Sequence, residues 1–369
     1  MIPGAPFPSC KRLSLAVRFV GCLLLAVLVG ALVFPGQAGA DIGPWSRPVK
    51  ISTGQGGWFP DVAAADDGRV HVVWNQSHPV EMQKDPWEEI LEEEGFVRPS
   101  VRVLSALYYS RWNGESWTTP SDIALAQKGV ALRSSLAVDG AGRAHLLRLG
   151  IGDLRADTAR QQEMDVWYAT SDGTRADSVM SWTASRRISR DASGYFTDIA
   201  IDSRGAIHII WTENIAGTPA LLYANSRDGG ATWSPRVVLE PSNFVWWYRA
   251  QLKVDARDRL HVVWEVTDRK NLGSTRGAVY ARSEDGGASW SHTVFPEDLP
   301  PYPFYRLRGP GPQQPTIGVD GKGDTLLIYR DGDTGRVLYR ASADGSRWSP
   351  PAPLPGLRGG VDRPYDVYD

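Results

Sequence analysis

The chain has 369 residues, with 15 Trp, 13 Tyr, 38 Gly and 26 Pro, and a formal charge of -2 at pH 7. This length suffices for one large repeat domain or two ordinary ones, and the near-neutral balance excludes a bulk electrostatic attraction to nucleic acid. Many large aromatics beside many turn residues suit an all-β domain with a turn every 8–12 residues or so.

Residues 1–40 read as a signal peptide. Lys11, Arg12 and Arg18 precede the apolar run Cys22–Phe34, and Ala38-Gly39-Ala40 is a small-residue cleavage site. The mature domain is expected over 41–369, secreted or otherwise extracytoplasmic, with no membrane span after cleavage. The rival is an uncleaved anchor, for which the apolar run is short. Phe19-Val20-Gly21-Cys22 loosely resembles a lipobox, but its Cys precedes the run instead of following it. Loss of the three cations takes the formal charge to about -5. Both cysteines, Cys10 and Cys22, lie in this segment, so the mature chain has no disulfide or thiol chemistry.

Pro44–Ile51 then reads as a last strand without its blade. Beyond it one pattern recurs five times: an apolar strand, a tight turn, and a second apolar strand that usually contains His and ends in an aromatic. The copies are 60–74, 134–148, 197–211, 250–264 and 315–329. After each comes a third strand, such as Ala220-Leu-Leu-Tyr-Ala224, then a turn, a Trp and a fourth strand. The clearest turns are Ser226-Arg-Asp228-Gly-Gly230-Ala-Thr-Trp233, Ser283-Glu-Asp285-Gly-Gly287-Ala-Ser-Trp290 and Ser342-Ala-Asp344-Gly-Ser-Arg-Trp348. Weaker copies are 110–117 and Thr170-Ser-Asp-Gly173, whose Trp182 follows an insertion. Ser and Asp can accept turn N–H groups, Gly supplies positive φ, and Trp is expected to cover the turn and pack on its own blade. The chain closes on Arg363–Asp369, which reads as a first strand without the rest.

A single four-stranded sheet cannot bury both faces, and radial packing of such sheets resolves this. The expected fold is therefore a β-propeller of five complete blades, with end segments that could contribute to a partial sixth. The turns are Asp-boxes, S-x-D-x-G-x-x-W, and through them the mature chain resembles the sialidase-like (BNR-repeat) propellers. Asp-boxes serve enzymes and non-enzymes alike, so they speak for fold and not for activity.

In such a ring the first–second and third–fourth turns share one face. The other face carries the insertions 76–102, 149–165, 240–249 and 295–314, and long loops on a rigid scaffold are where binding usually sits. In the first insertion, Asp85, Pro86 and Gly95 predict a short acidic helix. Trp246, Trp247 and Tyr305, in the later insertions, could stack on sugar faces or simply cap the core.

The resemblance implies three arginines on a substrate carboxylate, an acidic acid/base and a Tyr–Glu nucleophile pair. Carried onto this chain, Arg133 and Arg249 could be two clamp members, with Arg330 or Arg306 as a third. Asp61 or Asp198 could be the acid, and Glu213 or Glu265 could activate a tyrosine such as Tyr248. Tyr248-Arg249-Ala250-Gln251-Leu252 partly matches the sialidase motif Tyr/Phe-Arg-Ile-Pro, but lacks Ile-Pro and falls in the fourth blade. The alternative is that these residues make ordinary bonds at a polar channel mouth. His71, His145, His208 and His261 occupy the same position of different blades, so rotation about the axis keeps them apart and they are read as structural. No metal or other cofactor is expected, and no phosphate loop or dinucleotide fingerprint is present. The expected partner is an extracellular glycan. An exo-sialidase or related hydrolase and a protein-binding scaffold are the alternatives.

Overall fold

In the computed structural model, the described residues are 48–53, 57–80, 102–126, 134–151, 164–190, 196–215, 218–240, 250–268, 271–295, 311–332 and 334–355. The chain divides into two units, Met1–Lys50 and Ile51–Asp369. Residues 48–50 of the first have no regular structure. Among its described residues the second holds five four-stranded antiparallel sheets, one for each sequence repeat.

Blade 1 is β1 (Gly57–Ala64), β2 (Val70–Val80), β3 (Arg102–Trp112) and β4 (Ser121–Ala126). Blade 2 is β5 (Ser134–Val138), β6 (Arg143–Ile151), β7 (Met164–Asp172) and β8 (Arg186–Arg187). Blade 3 is β9 (Thr197–Ile201), β10 (Ile207–Ile215), β11 (Thr218–Ser226) and β12 (Val237–Glu240). Blade 4 is β13 (Gln251–Val254), β14 (Leu260–Asp268), β15 (Asn271–Ser283) and β16 (Ser291–Phe295). Blade 5 is β17 (Gln313–Val319), β18 (Thr325–Arg330), β19 (Val337–Ser342) and β20 (Ala352–Pro353). The first strand of each blade packs on the first strand of the next, from β1 through β17. Strand order and inner-strand packing together make this a β-propeller.

The period-2 alternation of each strand sends one set of apolar residues to the preceding blade and the other to the following one. Four cores result, one per seam. Between blades 1 and 2, Val73 and Tyr109 meet Leu136 and Leu146. Between blades 2 and 3, Leu147 and Tyr168 meet Ile199 and Ile209. Ile210 and Tyr223 meet Leu252 and Val262 in the third seam, and Val263 and Tyr280 meet Ile317 and Leu327 in the fourth. Val62 in blade 1 stands where the others have Leu136, Ile199, Leu252 and Ile317. It is 62% exposed, whereas those four are at most 5% exposed. The face of blade 1 turned away from blade 2 is thus open at this level.

Of the two end segments, 44–47 and 363–369 lie outside the described residues, and 48–51 carry no strand. The helix expected at 85–95 also lies outside them, as does most of every long insertion.

The Asp-boxes form as their chemistry dictates. In blade 3, Ser226 Oγ donates to Asp228 Oδ1 (2.7 Å) and accepts from Gly230 N (2.8 Å), while Thr232 N donates to Asp228 Oδ1 (2.8 Å). Blade 4 repeats this with Ser283, Asp285, Gly287 and Ser289. In blade 5, Ser342 Oγ accepts from Gly345 N, and Asp344 from the N–H groups of Ser346 and Arg347. Hydrogen bonds, first of all from Thr232 and Ser289, hold Asp228 and Asp285 down at about 2.

One expectation needs correction: the box tryptophans pack across the seam, not only on their own blade. Trp233 meets Tyr168 of blade 2 edge-on at 5.2 Å, Trp290 meets Tyr223 at 5.2 Å, and Trp348 meets Tyr280 at 4.9 Å. The tyrosine reaches over because the box presents a glycine to it. A Cβ on Gly230 would fall 2.2 Å from Tyr168 Cε1, and one on Gly287 2.2 Å from Tyr223 Cε1. The tyrosine hydroxyls donate to the preceding box carbonyl, Tyr168 to Gly229 (3.1 Å) and Tyr223 to Gly286 (2.9 Å).

The recurring histidines complete this latch. Nδ1 of His71, His145, His208 and His261 bonds the hydroxyl of Tyr109, Tyr168, Tyr223 and Tyr280 in its own blade, at 2.6–2.8 Å. Nε2 of His145 and His261 lies 3.2 Å from Asp139 and Asp255, and Nε2 of His208 lies 3.4 Å from Asp202. Blade 1 has Ala65 in place of that Asp, and His71 Nε2 is buried without a partner. Burial, helped by the Arg69 and Arg111 cations, pushes His71 down to about 4. Blade 5 keeps Asp320 but has Leu326 in place of His.

Candidate functional site

Antiparallel pairing puts the first–second and third–fourth turns at one end of every blade, with the Asp-boxes. The second–third connections and the links between blades leave from the other. Two sets of polar side chains gather at that long-loop end.

The first set belongs to the innermost strands. Asp61, Ser135, Asp198, Gln251 and Thr316 occupy equivalent positions of the five repeats. They link one inner strand to the next. Asp61 Oδ2 accepts from Leu136 N (2.7 Å), and Asp198 Oδ2 from Leu252 N (2.7 Å). Ser135 Oγ donates to Thr197 O (2.6 Å), and Gln251 Oε1 accepts from Ile317 N (3.1 Å) and Thr316 Oγ1 (2.8 Å). The other oxygens of the two carboxylates take Val62 N (3.0 Å) and Ile199 N (2.9 Å).

Desolvation pushes Asp198 up to about 6, and the Asp61 carboxylate adds to the rise. Lys253 and the N–H donors oppose it. Asp61 is raised by the same desolvation and lowered by its N–H bonds and Lys253. Two hard-to-ionise carboxylates and one ammonium therefore share a field at the inner strands. At about 6, the Asp198 carboxyl can hold or release a proton near neutral pH.

The second set lies at the ends of the second strands. Glu213 is buried and accepts from Arg236 Nη1 (2.6 Å), Trp211 Nε1 (2.7 Å) and Arg190 N (3.1 Å). In blade 1 the uncharged pair Trp74 Nε1 to Gln76 Oε1 (3.2 Å) replaces the Trp211–Glu213 bond. Glu265 is buried and accepts from Gln314 N of blade 5 (2.8 Å). Arg330 Nη1 donates to Gln313 Oε1 (3.4 Å).

Beside these sets stand Phe59 in β1 and Gln314 in β17, near the starts of the first strands of blades 1 and 5. Both have φ of 49°, the left-handed region, and both lie within register shifts that bulge the strand. Such conformations persist where the surrounding structure holds them.

The structure thus brings Asp61, Asp198, Glu213, Glu265 and Arg330 to one end of the domain, with the two glutamates and Arg330 already engaged. Arg133, Arg249, Arg306, Trp246, Trp247, Tyr248 and Tyr305 lie outside the described residues. Sequence reasoning missed Lys253 and Arg236. Lys253 could have been found as the one charged residue at an inner-strand position that is Ala63, Ala137, Ala200 and Gly318 elsewhere. Arg236 has no signal in the repeat. Among the described residues no cluster of His, Cys, Asp or Glu could hold a metal ion. No described helix is long and apolar enough to cross a membrane.

The model of the BNR repeat-like domain matches residues 160–361, more than half of the chain. No curated protein matches. Among solved structures, a protein of unknown function from Dyadobacter fermentans DSM 18053 is 16% identical with a TM-score of 0.53, over 83% of this chain and 85% of that one. A Hadza microbial sialidase is 17% identical (TM-score 0.46), over 81% of this chain and 58% of its own. An ulvan lyase, a polysaccharide lyase, is 12% identical (TM-score 0.47), over 78% and 67%. The chain belongs to the BNR repeat-like family and folds as a β-propeller.

Proposed function

We propose that this is an exported propeller that recognises glycans at its long-loop end. The observation that carries the reading is the unequal chemistry of the two ends. The Asp-box end spends its polar groups on repeated turn and latch bonds. The long-loop end collects Asp61, Asp198, Glu213 and Glu265, and three of the four insertions that leave from it carry both Arg and aromatic residues. Guanidinium forks suit acidic sugars, and aromatic faces suit the C–H faces of sugar rings. Several solved structures of similar fold are sialidases or polysaccharide lyases, which fits this class of ligand. Residues 1–40 would direct export.

Recognition is preferred to hydrolysis because Glu213 is already tied by Arg236, Trp211 and Arg190 N, which leaves it a poor activator of a tyrosine. A catalytic role for Asp198 stays open to test, since its carboxyl ionises near neutral pH. The protein-binding scaffold is the competing reading. The test is a printed array of neutral, sulfated and sialylated saccharides probed with the mature protein, run beside hydrolysis of a fluorogenic sialoside. Binding that is lost in Arg249→Ala supports the proposal. No array signal refutes it and favours the scaffold. Turnover abolished by Asp198→Asn would replace recognition by catalysis.

A further inference from the structure

Four seams separate the five blades, and at the long-loop level the residue that follows the second-strand aromatic position is packed or hydrogen-bonded in blades 2, 3 and 4. Between blades 2 and 3 it is Leu149, fully buried in the seam core. In blade 3 it is Thr212, whose Oγ1 accepts from Phe196 N of the same blade (3.1 Å). Between blades 4 and 5, Glu265 Oε2 accepts from Gln314 N (2.8 Å). The equivalent residue in blade 1 is Asn75. It is 4% exposed, and its Oδ1 and Nδ2 are both buried without a partner.

The opposite wall repeats the anomaly. Val73 and Leu136 meet in the core between blades 1 and 2. Asn75 lies two residues beyond Val73 and Ser134 two residues before Leu136. Because neighbouring strands run antiparallel within each blade, both steps lead toward the long-loop end, on the same side of each sheet. Ser134 is 6% exposed, and its Oγ is also buried without a partner. Asn75 pairs across the sheet with Trp58, beside the bulge made by left-handed Phe59. Buried polar atoms are ordinarily bonded, and leaving three of them orphaned in one seam is costly. Together they offer an acceptor, a two-proton donor and a hydroxyl, all neutral.

We propose that this seam is a subsite for a neutral saccharide hydroxyl, held between the Asn75 amide and the Ser134 hydroxyl. The inference rests on the glycan reading above and assigns it a second contact, separate from the arginines that would meet an acidic group.

The test uses the same array of neutral, sulfated and sialylated saccharides. Wild-type protein, Ser134→Ala and Asn75→Leu are compared at low and high salt, each with its melting temperature. The expected result is a loss of about five- to tenfold in apparent affinity in both variants, for neutral and charged saccharides alike. The loss should not change with salt, and melting temperatures should be unchanged or higher because orphaned polar atoms have been removed. If Asn75→Leu does not fold, Ser134→Ala carries the test. Wild-type binding with unaltered variant binding overturns the subsite alone. Unaltered binding with a lowered melting temperature overturns it too, and assigns the seam to an enclosed water. Absence of any wild-type signal refutes the glycan reading and the subsite with it.

Discussion

Adjacent glycines in one Asp-box provide a controlled perturbation of the inter-blade latch. Gly286 and Gly287 both have positive φ, 69° and 90°. A Cβ on Gly286 meets nothing within 4 Å, whereas one on Gly287 would lie 2.2–2.3 Å from Cε1, Cζ and the hydroxyl of Tyr223. That ring cannot easily yield, because its hydroxyl is fixed by His208 Nδ1 (2.7 Å) and Gly286 O (2.9 Å) and its edge meets Trp290. Gly286→Ala should therefore cost only the left-handed backbone penalty, about 1 kcal/mol. Gly287→Ala adds overpacking of about 1–3 kcal/mol, for a total of about 2–4 kcal/mol. Urea unfolding followed by tryptophan fluorescence measures both. A double-mutant cycle with Tyr223→Ala should return the cost of Gly287→Ala to about that of Gly286→Ala. Equal costs for the two single variants, or no coupling to Tyr223, would show that the box is a self-contained turn and that the latch across the seam is not a source of stability.

Three further outcomes follow from the same geometry. Ala65→Asp supplies the carboxylate that blade 1 lacks beside His71; the His71 pKa should rise from about 4, read by NMR titration, with a stability gain of about 0.5–1.5 kcal/mol. Asp198 has a folded pKa raised to about 6 against an unfolded value near 3.8, so the fold binds the extra proton and its carboxylate weakens the fold increasingly as pH rises through that window. The stability of wild type relative to Asp198→Asn should thus increase as pH falls from about 7 to about 4, and parallel urea midpoints across that range would refute the assignment. Arg236→Met leaves the buried Glu213 carboxylate without its guanidinium and should cost about 2–4 kcal/mol, much of it recovered in the double variant with Glu213→Gln.

The repeat made the blade legible in sequence, and the radial offset between blades kept the rest hidden. Ser226, Asp228 and Gly230 are read correctly from the motif because their bonds close within five residues. Trp233 is read only in part, because its second partner, Tyr168, lies in the preceding blade, 65 positions away in sequence. Each of the four histidines shares its blade with a tyrosine on the third strand, and that co-occurrence could have exposed the latch before any coordinates. Asp61 and Asp198 were found as equivalent polar residues near the axis. Their inter-strand bonds were not, because a backbone N–H acceptor leaves no trace in residue type. Nothing in its residue type sets Asn75 apart; only comparison of the blades shows that Leu149, Thr212 and Glu265 are packed or bonded at that position while the Asn75 amide is not.

The division of labour between the two ends is tested most directly by hydrogen–deuterium exchange of the mature protein, with and without the strongest-binding saccharide on the array. Protection is expected in peptides covering Asn75, Glu213 and Glu265 at the long-loop end, with none in the box peptides 226–233 and 283–290. Protection confined to the box peptides would place recognition on the opposite end and contradict the account.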